Sequence, residues 1–199
     1  MTKLIKILKV LGGVLLIAAL VLSLYNIVDA GRAGADADDI RKSLTAQLKT
    51  VQKLNELDGA DDVRTLGAEP STVFVDTASY LGILEIPDLD LKLPVAAEWS
   101  YDQLRLTPCR YSGSPGGNLV ICAHNYSSHF GGLSELSGGA EAFFTDFDGH
   151  RYGYTLSEQE IIQPDEGARM IDSGYPLTLF SCNWNGSARV TLRFTEIAQ

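Results

Sequence analysis

Cysteine is scarce in this chain and histidine equally so, with three of each in 199 residues. An odd number of thiols excludes a framework in which every cysteine is bridged and leaves at least one free. Cys109 and Cys122 are one pair open to bonding. The spacing of Cys109, Cys122 and Cys182 matches no structural zinc pattern of the Cys-x-x-Cys type. An excess of positive charge is also missing. Sixteen basic residues face 25 acidic ones, for a net charge of −9 and a pI near 4.7, which makes nucleic acid an unsuitable partner. Internal repeats and low-complexity tracts are absent. Helix-length periodic segments do not alternate with the strand-like runs, which disfavours a doubly wound parallel sheet.

Long uncharged runs are nearly absent, with one exception. Val10 to Val28 carries no charge and is mostly Leu, Val, Ile and Ala. As a helix rising about 1.5 Å per residue it spans about 28 Å, close to the hydrocarbon thickness of a bilayer. Lys3, Lys6 and Lys9 precede it and the first acid, Asp29, follows, so the rest of the chain holds 13 bases against 25 acids. That asymmetry predicts a cytoplasmic N-terminus and an external C-terminal part. A retained membrane anchor over residues 1–30 is preferred to a cleavable signal peptide, whose apolar region is usually about 7–15 residues, although Val28-Asp29-Ala30 is a tolerable cleavage site.

Residues 31–72 read as linker and juxtamembrane helix. Gly31 to Ala37 is small and polar and predicts a flexible joint. Ile40, Leu44, Leu48, Val51, Leu54 and Leu57 recur at three- and four-residue steps and predict a helix over 38–58. Asp38 or Asp39 suits its cap and Gly59 its stop. Its single apolar stripe fits packing on its own domain better than a dimer seam. A second linker is expected over 59–72. From Val73 to the C-terminus, short β-rich runs bounded by Pro and Gly appear at 80–86, 91–95, 118–123, 141–146, 152–162, 176–182 and 188–197, and predict a mostly β domain, sandwich or barrel, over 73–199.

The chemistry concentrates at the ends of three of these runs. In 177–182 the alternation puts Thr178, Phe180 and Cys182 on one face and Leu177, Leu179 and Ser181 on the other. Cys182 closes that run beside the polar stretch Asn183 to Ser187, where partial exposure and a nearby cation would favour a thiolate. In the next run Val190, Leu192 and Phe194 share one face, so Arg189, Thr191 and Arg193 share the other. If the two runs form a hairpin, Arg189 returns close to Cys182 and can donate to an oxyanion, with Arg193 as the fallback. Of the three histidines, His124 alone directly ends an apolar run, 118–123, and a histidine can protonate a leaving amine and deprotonate an incoming one. His129 is its rival. A cysteine, a histidine and an arginine suffice for acyl transfer through a thioester.

These residues resemble the sortases, the cysteine transpeptidases of Gram-positive surfaces. Thr178-Leu179-Phe180-Ser181-Cys182 is similar to their Thr-Leu-x-Thr-Cys segment, and Ala123-His124-Asn125 to their Gly-His-Asn. Ser187-Ala188-Arg189-Val190 is similar to the arginine-bearing strand, and Ile86-Pro87-Asp88-Leu89 with Pro94-Val95 to an early Ile-Pro-x-Leu stretch. Ser181 stands where Thr is usual, and Ala123 where Gly is usual. The chain between His124 and Cys182 is short, unlike that of the larger subtypes with an inserted helix there. The resemblance implies a closed, mostly antiparallel eight-stranded β-barrel with short helices. It implies catalysis by Cys182, His124 and Arg189 on a Leu-Pro-x-Thr-Gly-like signal, with transfer to an amine of a cell-wall precursor or a pilin lysine. Some sortases bind calcium. Here Asp146, Asp148 and Glu158 or Glu160 are the acids in view, but Arg151 and Ser157 occupy the glycine and closing-glutamate places of an EF-hand loop, and no metal or cofactor is predicted. Two other readings compete: a hydrolytic cysteine peptidase, whose papain-like form has the opposite Cys–His order, and a non-enzymatic, membrane-tethered β-domain that binds a partner.

Overall fold

The structure, a computed structural model, describes residues 2–58 and 70–197. The chain divides into two compact units, residues 1–32 and 33–199. In the first, the residues from Thr2 are helical, with apolar side chains such as Leu8, Leu16 and Ile27 exposed. By length and composition this helix is able to cross a membrane.

Helix α1 runs from Thr2 to Asp58 without interruption. The joint expected over Gly31 to Ala37 is therefore helical: Ala33 and Ala37 are buried, so a seam of small residues lies against the second unit's own surface there. Asp38 and Asp39 are not caps but interior residues, paired with Arg41 and Lys42 one turn on. The apolar stripe behaves as its spacing predicts, with Ile40, Leu44 and Leu48 buried. Gly59 and most of the second expected linker, as well as the side chains of Val51, Leu54 and Leu57, lie outside the described residues.

The rest of the second unit is a barrel. Its strands are β1 (Val73–Val75), β2 (Ala78–Ile86), β3 (Leu91–Ala96), β4 (Cys109–Ser112), β5 (Leu119–Ala123), β6 (Glu141–Asp146), β7 (Arg151–Ile162), β8 (Leu177–Cys182) and β9 (Arg189–Glu196). Two short helices, α2 (Tyr101–Leu104) and α3 (Gly167–Ile171), sit in the connections. The pairing order is β1-β2-β3-β4-β5-β8-β9-β7-β6, and β2 pairs again with β6, so the eight strands β2 to β9 close on themselves while β1 extends β2 as a hairpin. Gly82 lies at the closing seam, where a Cβ would come within 2.3 Å of the Thr145 carbonyl oxygen. A side chain there would hold the two strands apart.

The closed eight-stranded barrel that the resemblance implies is present, and most of its pairings are antiparallel. β3–β4 and β5–β8 are parallel, so the barrel is mixed. Alternation along a strand reports which face is buried and is silent on the direction of its neighbour. Strand β4 was not expected at all: it is four residues, of which only Cys109 is buried, and it meets β3 through the single pair Ala96–Cys109.

Inward side chains of every long strand, among them Leu84, Val95, Ile121, Phe144, Leu156, Leu179 and Leu192, form the barrel core. A second apolar layer covers part of the outer face. Ile40, Leu44 and Leu48 of α1 and Met170 of α3 pack there against Tyr80, Ile83, Val120, Cys122, Ile162 and Phe180. The β-domain therefore has α1 as one wall of a second core. Leu44→Ala should lower stability by about 2–5 kcal/mol, read as a shifted denaturant midpoint.

Candidate active site

The parallel pairing of β5 with β8 decides where the candidate residues meet. Ala123 pairs with Ser181, so the next residues on each strand, His124 and Cys182, leave the barrel side by side at one rim. The antiparallel pairing of β8 with β9 sets Cys182 directly opposite Arg189. The three sequence-predicted residues thus lie on three adjacent strands at the same level. All three are half-buried, and all three line a cavity of about 240 Å³. Its other walls are largely apolar: Trp99, Tyr101, Leu104, Tyr111, Ile162, Pro164, Met170 and Phe180.

The loops that carry the three residues are braced by their own backbone. After β8, the Asn183 and Gly186 amides donate to the Ala188 and Asn183 carbonyls at 2.9 and 3.0 Å, and Gly186 takes a left-handed φ of 72°. The Asn183 side-chain oxygen accepts from the Ala188 amide at 3.1 Å. After β5, the His124 carbonyl accepts from the Phe130 amide at 3.1 Å, which fixes the backbone that carries the imidazole. Asn125 Nδ2 donates across to the Asn183 carbonyl at 3.4 Å, tying the histidine loop to the cysteine loop. The guanidinium of Arg189 donates to the carbonyls of Gly186 and Ala188, both at 3.3 Å. It is parked on its own turn, within the cavity that Cys182 faces.

The alternatives separate clearly. His129 is 0% exposed. Burial, with the neighbouring His124 second, pushes its pKa down to about 4 against a weaker opposing pull from the backbone at Ala33 and Leu106. It is buried, and Tyr126 lies between it and His124 in tilted ring contacts at centroid distances of 5.6 and 5.0 Å. Arg193 is 2% exposed. Its Nε donates to Glu160 at 2.8 Å, one terminal nitrogen to Thr178 Oγ1 at 2.9 Å, and the other to the Arg169 carbonyl at 2.7 Å. It locks α3 to the sheet. Cys109 and Cys122 are free thiols facing each other across β4 and β5. Burial pushes the first well above the usual thiol range and the second up to about 12.

Among the acids, Asp146 is buried and braces the β6–β7 turn, accepting from the amides of Asp148 and His150 at 3.1 and 2.9 Å and from the Tyr152 hydroxyl at 3.1 Å. The ligand atoms of Asp146, Asp148 and His150 lie within 4.8 Å of one another. Glu158 and Glu160 are engaged elsewhere: the former accepts from Tyr175 at 2.9 Å, and the latter pairs with Arg169 at 2.6 Å and Arg193 at 2.8 Å.

Two contributions to loop bracing were not assigned from the sequence. One is the Asn125–Asn183 tie. The other is Ser181, whose Oγ points inward and donates to the Phe130 carbonyl at 3.4 Å, so its substitution for the more usual threonine touches loop bracing. Trp184, on the turn beside Cys182, is 96% exposed.

A sortase domain profile matches residues 84–196, more than half of the chain, and the chain belongs to the sortase family, whose members are cysteine transpeptidases. Comparison with solved structures agrees on the fold. The Clostridium perfringens sortase D5 transpeptidase superposes with a TM-score of 0.60 at 15% identity, covering 82% of this chain and 99% of that one. Streptococcus pneumoniae sortase C gives 0.57 at 19%, covering 82% and 96%. C. perfringens sortase C, solved with a C-terminal cell wall sorting motif, gives 0.55 at 19%, covering 81% and 91%. The comparison with curated proteins returns no match.

The exposure differences predict thiol chemistry. A small alkylating agent at mildly alkaline pH should modify one thiol in the native protein, Cys182, and three after denaturation, counted by intact mass. A second expectation concerns acid. The unfolded chain binds a proton at His129 near pH 6.5, whereas the folded chain resists until about pH 4. The stability of the neutral form is therefore present above pH 6.5 and is lost as pH falls through that window, by about 3 kcal/mol at this group. His129→Phe should flatten the acid limb of a stability-versus-pH curve.

Proposed function

We propose that this sortase cleaves a Leu-Pro-x-Thr-Gly-like signal between Thr and Gly and transfers the acyl part to an amine, with Cys182 as nucleophile, His124 as general acid and base, and Arg189 as the cation at the carbonyl. The observation that carries this reading is the shared level of the three residues on β5, β8 and β9 around one apolar cavity. Cys182 Sγ attacks the threonine carbonyl carbon. The carbonyl oxygen gains negative charge, and Arg189, released from its turn carbonyls, is the one guanidinium lining that cavity among the described residues. His124 gives a proton to the departing glycine nitrogen, leaving a thioester on Cys182. An incoming amine then attacks the thioester, and His124 takes its proton. The aromatic and aliphatic walls suit the Leu-Pro portion of the signal, since apolar surface binds apolar surface while a few polar groups orient the reacting bond. Its donors would be surface proteins or pilins with such a signal, and its acceptor a peptidoglycan precursor or a pilin lysine. The sortase C solved with a cell wall sorting motif supports that substrate class.

The apolar N-terminal helix supports a single-pass anchor, with the lysines inside and the barrel outside the cell. In this reading residues 1–30 are the anchor, 31–72 the juxtamembrane segment and 73–199 the catalytic domain.

Incubation with a Leu-Pro-x-Thr-Gly peptide library should give a thioacyl adduct on the intact protein, transferable to added triglycine. Cys182→Ala should abolish the adduct. His124→Ala should slow turnover by about 10²–10⁴, and Arg189→Ala by about 10²–10³. An adduct that persists without Cys182, or transfer indifferent to His124 and Arg189, overturns the assignment.

A further inference from the structure

Cys182 stands on the wall between two cavities. The one described above lies towards His124 and Arg189. A second, of about 530 Å³, opens on the other side and shares only Ser181 and Cys182 with the first. Its floor is apolar, formed by Leu89, Leu91, Phe130 and Val190. Its rim is polar, and Glu135, in the 3₁₀ turn Leu133–Glu135, is the one charged residue among the described residues that line it. The charges therefore split across the thiol, with a guanidinium on one side and a carboxylate on the other. Trp184 forms the outer lip of the second cavity.

We infer that this second cavity receives the amine partner of the reaction, first the departing glycine end and then the acceptor, with Glu135 as the group that attracts its positive charge. The inference rests on the transpeptidase reading. Once the thioester has formed, the acyl chain still fills the apolar cavity beside Arg189, so an amine needs a separate approach to the same carbonyl carbon. Aminolysis is the reverse of acylation, so the departing and incoming amines pass through the same place. The acceptor arrives as an ammonium ion and loses one proton to solvent. The neutral nitrogen then attacks the thioester carbon, the C–N bond forms, the C–S bond breaks, and the Cys182 thiolate leaves. The second proton passes to His124. A carboxylate at the rim raises the local concentration of a cation before that step without entering it.

The test separates acylation from transfer. The full-length protein in detergent is acylated by a cleavable sorting peptide, and the adduct is followed by intact mass. It is then challenged with triglycine amide, a cationic amine, or with hydroxylamine, which is uncharged at pH 7.5. Glu135→Lys should raise the KM for triglycine amide about fivefold or more, the size of one exposed charge contact, and Glu135→Gln should raise it less. Transfer to hydroxylamine should hold for both. Ser134→Trp, which fills the cavity, should divert the thioester from triglycine amide to water. The adduct itself certifies that each variant is folded. Adducts that form in all three variants and transfer to triglycine amide with the unaltered KM overturn the assignment of this cavity alone. The absence of any adduct in the unaltered protein removes the transpeptidase reading, and this inference with it.

Discussion

The site depends on one strand pairing. β5 and β8 run parallel, in register from Leu119–Leu177 to Ala123–Ser181. Two parallel neighbours end at the same rim of the barrel, so the residue after β5 and the last residue of β8 emerge together. Had they been antiparallel, His124 and Cys182 would sit at opposite rims, about a strand length apart. Parallel neighbours cannot be joined by a tight turn and require a long crossover. Here the crossover contains β6, β7 and α3, and β6 returns to close the barrel against β2. The connection that brings His124 beside Cys182 is thus also the one that seals the core.

Around that pairing the protein separates rigid from reactive parts. Buried polar groups near the site are committed. Arg193 is held by Glu160, Thr178 and the carbonyls of α3, and Asp146 by three donors of its own turn. Buried charges persist only when paired in this way. Of three thiols, two lie in the outer apolar layer where ionisation is suppressed, and only Cys182 reaches a cavity edge half-exposed. Of three histidines, only His124 lines that cavity among the described residues. Burial, more than residue type, selects which copy of each reactive group is available.

Helix α1 adds a second constraint. Its Ile40, Leu44 and Leu48 cover an outer face that includes Val120, Cys122 and Phe180, two to four residues before His124 and Cys182 on the same two runs of chain. That face is solvent-averse on the strands that carry the site, and α1 is what removes it from water. The three-residue seam of Ala33, Ala37 and Ile40 follows the same stripe, which explains why the composition of 31–37, rich in small residues, forms a close-packed helix and not a joint.

Much was legible from the chain alone, because it rests on local rules. Alternation fixes which residues of 177–182 and 188–194 face inward, the apolar stripe of α1 is visible at its spacing, and the order His124, Cys182, Arg189 matches the family. The tertiary structure decided what local rules leave silent. Partner direction and strand neighbours are properties of hydrogen bonding between distant segments, so the mixed barrel, β4 and the adjacency of His124 to Cys182 appear only when the sheet closes. Accessibility is likewise collective. Position along the runs favours His124 over His129 and Arg189 over Arg193 without deciding exposure, and it is the packing of neighbouring elements that buries one of each pair and leaves the other at the cavity beside the thiol.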